Sequence, residues 1–260
     1  MKTLATYSIK GGVGKTSAAV NLGALAAADG LRTVLWDLDP QGAASFLFRI
    51  KPKVKGGGRR LIRDRDPLDV MKGTDVEGLD LLPADFSYRN LDLELDRRKK
   101  PLAGVGRVLA QLEGDYDLAI LDCPPSISLV SESVFSAADL LLVPLVPSTL
   151  SVRTLEQLRR FLAGVEQPAP EVLAFFSMVD RRKKLHRELV AALPGGADAA
   201  IPNASAVELM GLRRGGHDLL APDPHQLDPA RVRDRAVGDA GHRLDELAVD
   251  PLVAGLKHLL

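Results

Sequence analysis

Cysteine is almost missing from this chain: Cys123 is the single one in 260 residues. A lone thiol excludes an internal disulfide framework and points to a reducing compartment. Aromatic residues amount to only 4%, so the core must be built mainly from Leu, Val, Ile and Ala. Net charge is zero, with 34 basic residues against 34 acidic ones. Total charge therefore gives no argument for nucleic acid or membrane, and any such case rests on local clusters. Long apolar runs are lacking too. The most apolar stretch, Leu140–Val146, falls far short of the ~20 residues that a membrane helix needs. The N-terminus MKTLATYSIKGG has no basic segment followed by an apolar run and no small-residue cleavage site, so no secretory signal is expected. The expected setting is cytoplasmic, without stable membrane insertion.

What is present is an alternation of short apolar runs and helical segments. Strands are expected at Thr3–Ile9, Thr33–Trp36, Leu79–Leu82, Asp117–Leu121, Leu140–Val143 and Val172–Val179, and helices at Thr16–Asp29, Pro101–Leu112, Ser126–Ala138, Leu150–Val165 and Lys184–Leu193. Such alternation predicts an α/β fold, a mostly parallel twisted sheet with helices on both faces. No repeat or long linker divides the chain, so one domain over residues 1–260 is expected. Two stretches break the rhythm. Lys51–Asp66 is basic and carries three consecutive glycines, which reads as a mobile surface loop. Residues 215–260 stay unassigned, apart from a short terminal helix expected at Asp250–Leu260.

The densest chemistry lies near the start. Lys10-Gly11-Gly12-Val13-Gly14-Lys15-Thr16-Ser17 sits between a strand and a helix. Glycines there let backbone N–H groups turn inward toward phosphate oxygens, and the following helix adds the positive end of its dipole. Lys15 would reach the β- and γ-phosphates, and the Thr16 hydroxyl would ligate Mg²⁺. The first glycine of the general phosphate-loop pattern is replaced by Ile9, and a second lysine stands at Lys10. Further on, the apolar run Asp117–Leu121 delivers Asp122 to its end, where a carboxylate serves Mg²⁺ through water. Cys123 beside it has no base to partner it and reads as a small buried filler.

The loop K-G-G-V-G-K-T resembles the deviant Walker A loop of the ParA/MinD family of P-loop ATPases. Asp37-Leu38-Asp39-Pro40-Gln41-Gly42 resembles that family's first switch, and Tyr116–Ser126 its Walker B strand. The resemblance runs through most of residues 1–210 as motifs in the family's order. It implies ATP and Mg²⁺ as cofactors, and slow hydrolysis unless a partner stimulates it. It further implies that Asp39 orients the attacking water, that Asp37 supports the magnesium shell, and that Lys10 contacts phosphate across an ATP-dependent homodimer. Ser177–Arg181 and Ala200–Pro202 resemble the segments flanking adenine, which places Met178 and Pro202 against the base. Ala43 departs from the Asn common in that family's first switch, and residues after Arg214 match nothing in the family.

Within the family, the leading reading is a ParA-like partition or positioning ATPase. Its ATP-bound dimer would coat nonspecific double-stranded DNA on the nucleoid, and a ParB-like or cargo-adaptor protein would trigger hydrolysis. Candidate basic elements are Lys51–Arg63, Arg97–Lys100, Arg181–Lys184, and Arg213 with Arg214. A MinD-like membrane-cycling regulator would need a basic amphipathic C-terminal helix, where Lys257 is the one firm cation. One cysteine argues against a shared iron–sulfur cluster. A biosynthetic amidase or ligase on the same fold is a further alternative, against which Lys10 speaks.

Overall fold

The computed structural model describes residues 1–63, 65–165, 169–192 and 200–203. In chain order its elements are β1 (Lys2–Thr6), α1 (Lys15–Ala28), β2 (Thr33–Asp37), α2 (Ala43–Leu47), α3 (Gly57–Arg63), β3 (Lys72–Gly73), β4 (Leu79–Leu82), α4 (Leu91–Asp96), α5 (Gly104–Ala110), β5 (Leu118–Asp122), α6 (Leu129–Ala137), β6 (Leu140–Leu145), α7 (Thr149–Ala163), β7 (Glu171–Val179), α8 (Lys184–Ala192) and β8 (Ala200–Pro202). The strands form one sheet in the order β3-β4-β2-β5-β1-β6-β7-β8. Every pairing is parallel except the short β3 edge.

The central strands are buried on both faces, as the unbroken apolar runs Thr-Val-Leu-Trp, Leu-Ala-Ile-Leu and Leu-Leu-Leu-Val require of a parallel sheet. Alternate residues enter two cores. Leu4, Leu35, Ile120 and Leu142 pack with Ala19, Val20 and Leu22 of α1 on one face. Ala5, Val34, Trp36, Leu121 and Val143 pack on the other, with apolar residues of α3 to α7. Burying each Leu or Val in these clusters stabilises the fold by about 1.5–3 kcal/mol before the entropy of ordering is subtracted.

The phosphate-loop strand β1 lies between β5 and β6; the chain leaves β1 toward β2 on one side, and the crossover from β5 runs past β1 to β6 on the other. A crevice outside the carboxyl ends of the strands opens at such a reversal, which is where open α/β sheets bind ligands. The expected α/β fold is what forms.

The basic stretch 51–66 departs from expectation. It is not simply a loop, because α3 occupies Gly57–Arg63. Val54, Leu61 and Ile62 supply the apolar anchor and are buried in the larger core. Gly58 serves close approach: a Cβ there would stand 2.7 Å from the Tyr88 ring and 2.8 Å from Leu91. The helix thus lies flat on the 3₁₀ turn Phe86–Asn90 and on α4, leaving Arg59, Arg60 and Arg63 outside. The short α2, α4 and β3 had no usable periodicity in the sequence. Arg213, Arg214 and the stretch 215–260, with the helix expected at its end, fall outside the described residues. Among the described residues no helix is long and apolar enough to cross a membrane.

Candidate functional site

The site is assembled where β1, β2 and β5 end. After Thr6 the chain passes through the exposed Lys10, Gly11 and Gly12, then the buried Val13, before α1 starts at Lys15. Gly14 holds φ +94°, a left-handed conformation that an L side chain adopts only with strain. No side chain caps this helix end, and its first turn carries no acid. Its amide N–H groups and positive dipole end are left for an anion. Thr16 and Ser17 are half-buried in that first turn.

Two carboxylates face the same edge. Parallel register pairs Asp37 of β2 with Asp122 of β5, and Asp122 with Thr6 of β1. Both Asp37 and Asp122 are fully buried. Asp37 accepts through Oδ2 from the Ser45 N–H and the Ser45 hydroxyl, both at 2.8 Å. Asp122 accepts through Oδ1 from the Thr6 hydroxyl at 3.4 Å. The remaining oxygens, Asp37 Oδ1 and Asp122 Oδ2, have no hydrogen-bond partner. A buried carboxylate oxygen without a partner costs free energy unless something positive meets it.

The pKa values carry the same message. Burial pushes Asp37 up to about 6, against the lowering pull of its Ser45 hydrogen bonds. Asp122 rises to about 7, first through burial and then through the charge of Asp37, while the Thr16 hydroxyl and Lys15 pull it down. Lys15 is itself buried, which lowers its pKa although Asp122 and Asp39 hold it up. Lys15, Thr16, Asp37, Asp39 and Asp122 therefore bear on one another in one small volume.

Among the described residues no group of three or more His, Cys, Asp or Glu could hold a metal alone. That excludes an all-protein cage there and suits Mg²⁺, which takes one or two carboxylates together with phosphate oxygens and water. The donor set of the Thr16 hydroxyl with the two orphaned carboxylate oxygens fits that ion. A pH dependence follows. Because their folded pKa values are raised, these two acids stabilise the cation-free fold below about pH 4, and this contribution is lost as pH rises through about 6 to 7. A cation needs both ionised, so affinity for Mg²⁺ with nucleotide should tighten over the same window. Calorimetry at about pH 5.5 and about pH 8 checks this, and equal affinities would contradict it.

The other predicted residues are placed as follows. Asp39 is half-buried, and its Oδ1 accepts from the Gln41 N–H at 2.9 Å, a turn in which Asp bonds its own backbone. Lys10 is exposed at the loop's mouth, and among the described residues no ion pair occupies it. Met178 sits at φ +56° in a bulge of β7, partly exposed, beside the Val179–Pro202 pairing of β7 with β8. The two residues assigned to adenine thus come together at one strand end. Cys123 is completely buried, and burial pushes its thiol well up, as a filler requires. Two participants carried no signal of these roles in the sequence. Ser45 orients Asp37 from eight residues away, and the Ser177 hydroxyl donates to the Val13 carbonyl at 2.6 Å from across the chain.

Comparison with known proteins agrees with this geometry. A family profile described as an AAA domain matches residues 1–174. The sporulation initiation inhibitor protein Soj of Bacillus subtilis (strain 168) is 37% identical over 195 residues, covering 73% of this chain and 77% of that protein. The chromosome partitioning protein ParA of Caulobacter vibrioides (strain NA1000 / CB15N) is 32% identical over 202 residues, covering 73% and 74%. A crystal structure of cobyrinic acid a,c-diamide synthase from Mycobacterium smegmatis, with bound ATP analogue and magnesium, superposes at a TM-score of 0.70 with 30% identity, covering 79% of this chain and 86% of that one. With the phosphate loop, the paired carboxylates and the sheet order in place, these likenesses establish that the chain belongs to the ParA/MinD-type P-loop ATPases.

Proposed function

We propose that this chain is a ParA-type partition or positioning ATPase that binds Mg·ATP at Lys10–Ser17 and works as an ATP-switched homodimer. The observation that carries the nucleotide reading is the pair of buried, unpartnered oxygens on Asp37 and Asp122 beside Lys15 and Thr16. Solved relatives bound to ADP or an ATP analogue with magnesium support the same cofactors. Lys15 meets the β- and γ-phosphates, the loop N–H groups cradle them, and Thr16, Asp37 and Asp122 hold the ion. Magnesium, when bound, offsets charge on the phosphate oxygens. Asp39 orients the attacking water. Met178 and Pro202 flank the base.

In the ATP state the dimer binds double-stranded DNA without sequence preference, and a ParB-like or cargo-adaptor protein stimulates an otherwise slow hydrolysis. The names of the Soj and ParA relatives support partitioning as the task, and the site of action is the nucleoid in the cytoplasm. The experiment is DNA binding with ATP and with ADP across a salt series. Tight binding is expected with ATP alone, equal on unrelated duplexes, with a log–log salt slope of about −0.9 per neutralised phosphate. Binding that is absent, or indifferent to nucleotide, would overturn the reading.

A second reading, an ATP-dependent amidating synthase, is favoured by the likeness to the diamide synthase. The chain's one cysteine is fully buried, so it offers no thiol to release ammonia from glutamine. ATP turnover without any carboxylate acceptor separates the two.

A further inference from the structure

Two basic clusters that lie far apart in the sequence meet in the fold. Residues 51–63 carry six basic side chains and no acidic one. Arg98 of the second cluster donates through Nη2 to the Ile62 carbonyl at 3.0 Å, and Arg59 and Arg97 share Glu94 at 3.6 and 3.1 Å. The cluster Arg97–Lys100 therefore stands beside α3, and Lys55, Arg60, Lys99 and Lys100 are exposed on the joined surface. The remaining described cluster is poorer. Arg182 is held bidentately by Asp180 at 3.0 Å, Lys184 pairs with Glu188, and Arg187 donates to the Arg181 and Arg182 carbonyls.

A continuous set of bonds also joins this surface to the magnesium carboxylates. Asp37 Oδ2 accepts from the Ser45 hydroxyl at 2.8 Å, and the same hydroxyl accepts from the Ala84 N–H at 3.0 Å. The next residue, Asp85, accepts from the Val54 N–H at 2.8 Å and from the Ser87 N–H at 2.9 Å. The Ser87 hydroxyl accepts from the Gly58 N–H at 2.8 Å, in the first turn of α3. Burial pushes the Asp85 carboxyl up, but its bonds from Ser87 and Val54 outweigh this and hold it below the usual range, so it stays a charged anchor.

Resting on the reading of the chain as an ATP-switched DNA-binding protein, we propose that the joined face of α3 and Arg97–Lys100 is its DNA-backbone surface, and that the path Asp37–Ser45–Ala84–Asp85–Ser87–Gly58 positions that face according to the nucleotide. Asp37 leaves Oδ1 free toward the nucleotide site and holds Ser45 through Oδ2, so filling the site shifts its hold on Ser45. That biases the bonded connection reaching the turn from which Arg59 and Arg60 project. Point charges on a helix suit phosphate binding without base reading. Coupling between the two sites is then a differential affinity set in the switch, which a bond-by-bond substitution can remove.

The test uses the full chain with ATP or ADP, duplex DNA, and three variants whose folding is checked by circular dichroism. Lys55→Glu combined with Arg60→Glu and Lys99→Glu should weaken DNA binding about tenfold or more near 0.1 M salt, with ATP turnover intact. The same variant should flatten the salt slope by about 0.9 for every phosphate it no longer neutralises. Ser87→Ala should retain ATP turnover but bring the ATP-to-ADP ratio of DNA affinities toward one, and Ser87→Thr should restore the ratio. A charge-reversed variant that binds DNA like the parent overturns the surface, and an unchanged ratio in Ser87→Ala overturns the path. If the parent itself shows no ATP-dependent DNA binding, the reading beneath both falls.

Discussion

Asp39→Ala should bind Mg·ATP with the parent's affinity and turn it over on the order of 100-fold more slowly. Orienting water matters in the transition state and hardly at all in the ground state, so its removal costs kcat and leaves binding untouched; single groups of this kind are worth roughly 10²–10³ in rate. Asp39 stands apart from the two buried acids. It is half-buried and its Oδ1 is engaged by the Gln41 N–H, so its loss does not strip a cation ligand from the site. A turnover assay with calorimetry beside it separates the two possibilities. Parental turnover would leave Asp39 as a turn-former only.

Lys15→Ala acts at the other end of the cycle and should lower Mg·ATP affinity by about 100-fold. Charge-assisted hydrogen bonds are worth about 1.5–3 kcal/mol each, and about 3 kcal/mol is two decades in Kd. The buried position sharpens the effect. Lys15 lies among the acids of the site, and with the Thr16 hydroxyl it counters the burial that raises the Asp122 carboxyl. Without the lysine, three acids face the triphosphate. Calorimetry that finds unchanged affinity would remove the phosphate loop from the account.

Much of this was legible in the sequence because the informative residues are neighbours along the chain. The loop Lys10–Ser17 states its own flanks, and an apolar run ending in Asp puts that carboxylate at the sheet edge whichever strands lie beside it. That Asp37 and Asp122 would be side by side depended on strand order, which the sequence does not print; register then made them partners. Ser45, Ser177 and Thr6 act through strands and helices brought together by the fold, and a lone Ser or Thr has no pattern. The stretch 51–66 misled because its charge and glycines spoke louder than Val54, Leu61 and Ile62, three apolar residues with too little periodicity to announce a buried face. Gly58 there meant close packing, not looseness.

The central claim is that ATP, unlike ADP, joins two copies of this chain through Lys10. In the proposed site Lys15 serves the phosphates of its own subunit, whereas Lys10 is exposed at the mouth of the loop with no ion pair among the described residues. A cation added across an interface favours the γ-phosphate state, and that difference is what a switch requires. Light scattering tests it directly. The parent should be a dimer with Mg·ATP and a monomer with Mg·ADP, while Lys10→Ala should bind ATP and stay monomeric; an ATP-dependent dimer of Lys10→Ala as tight as the parent's would contradict the account.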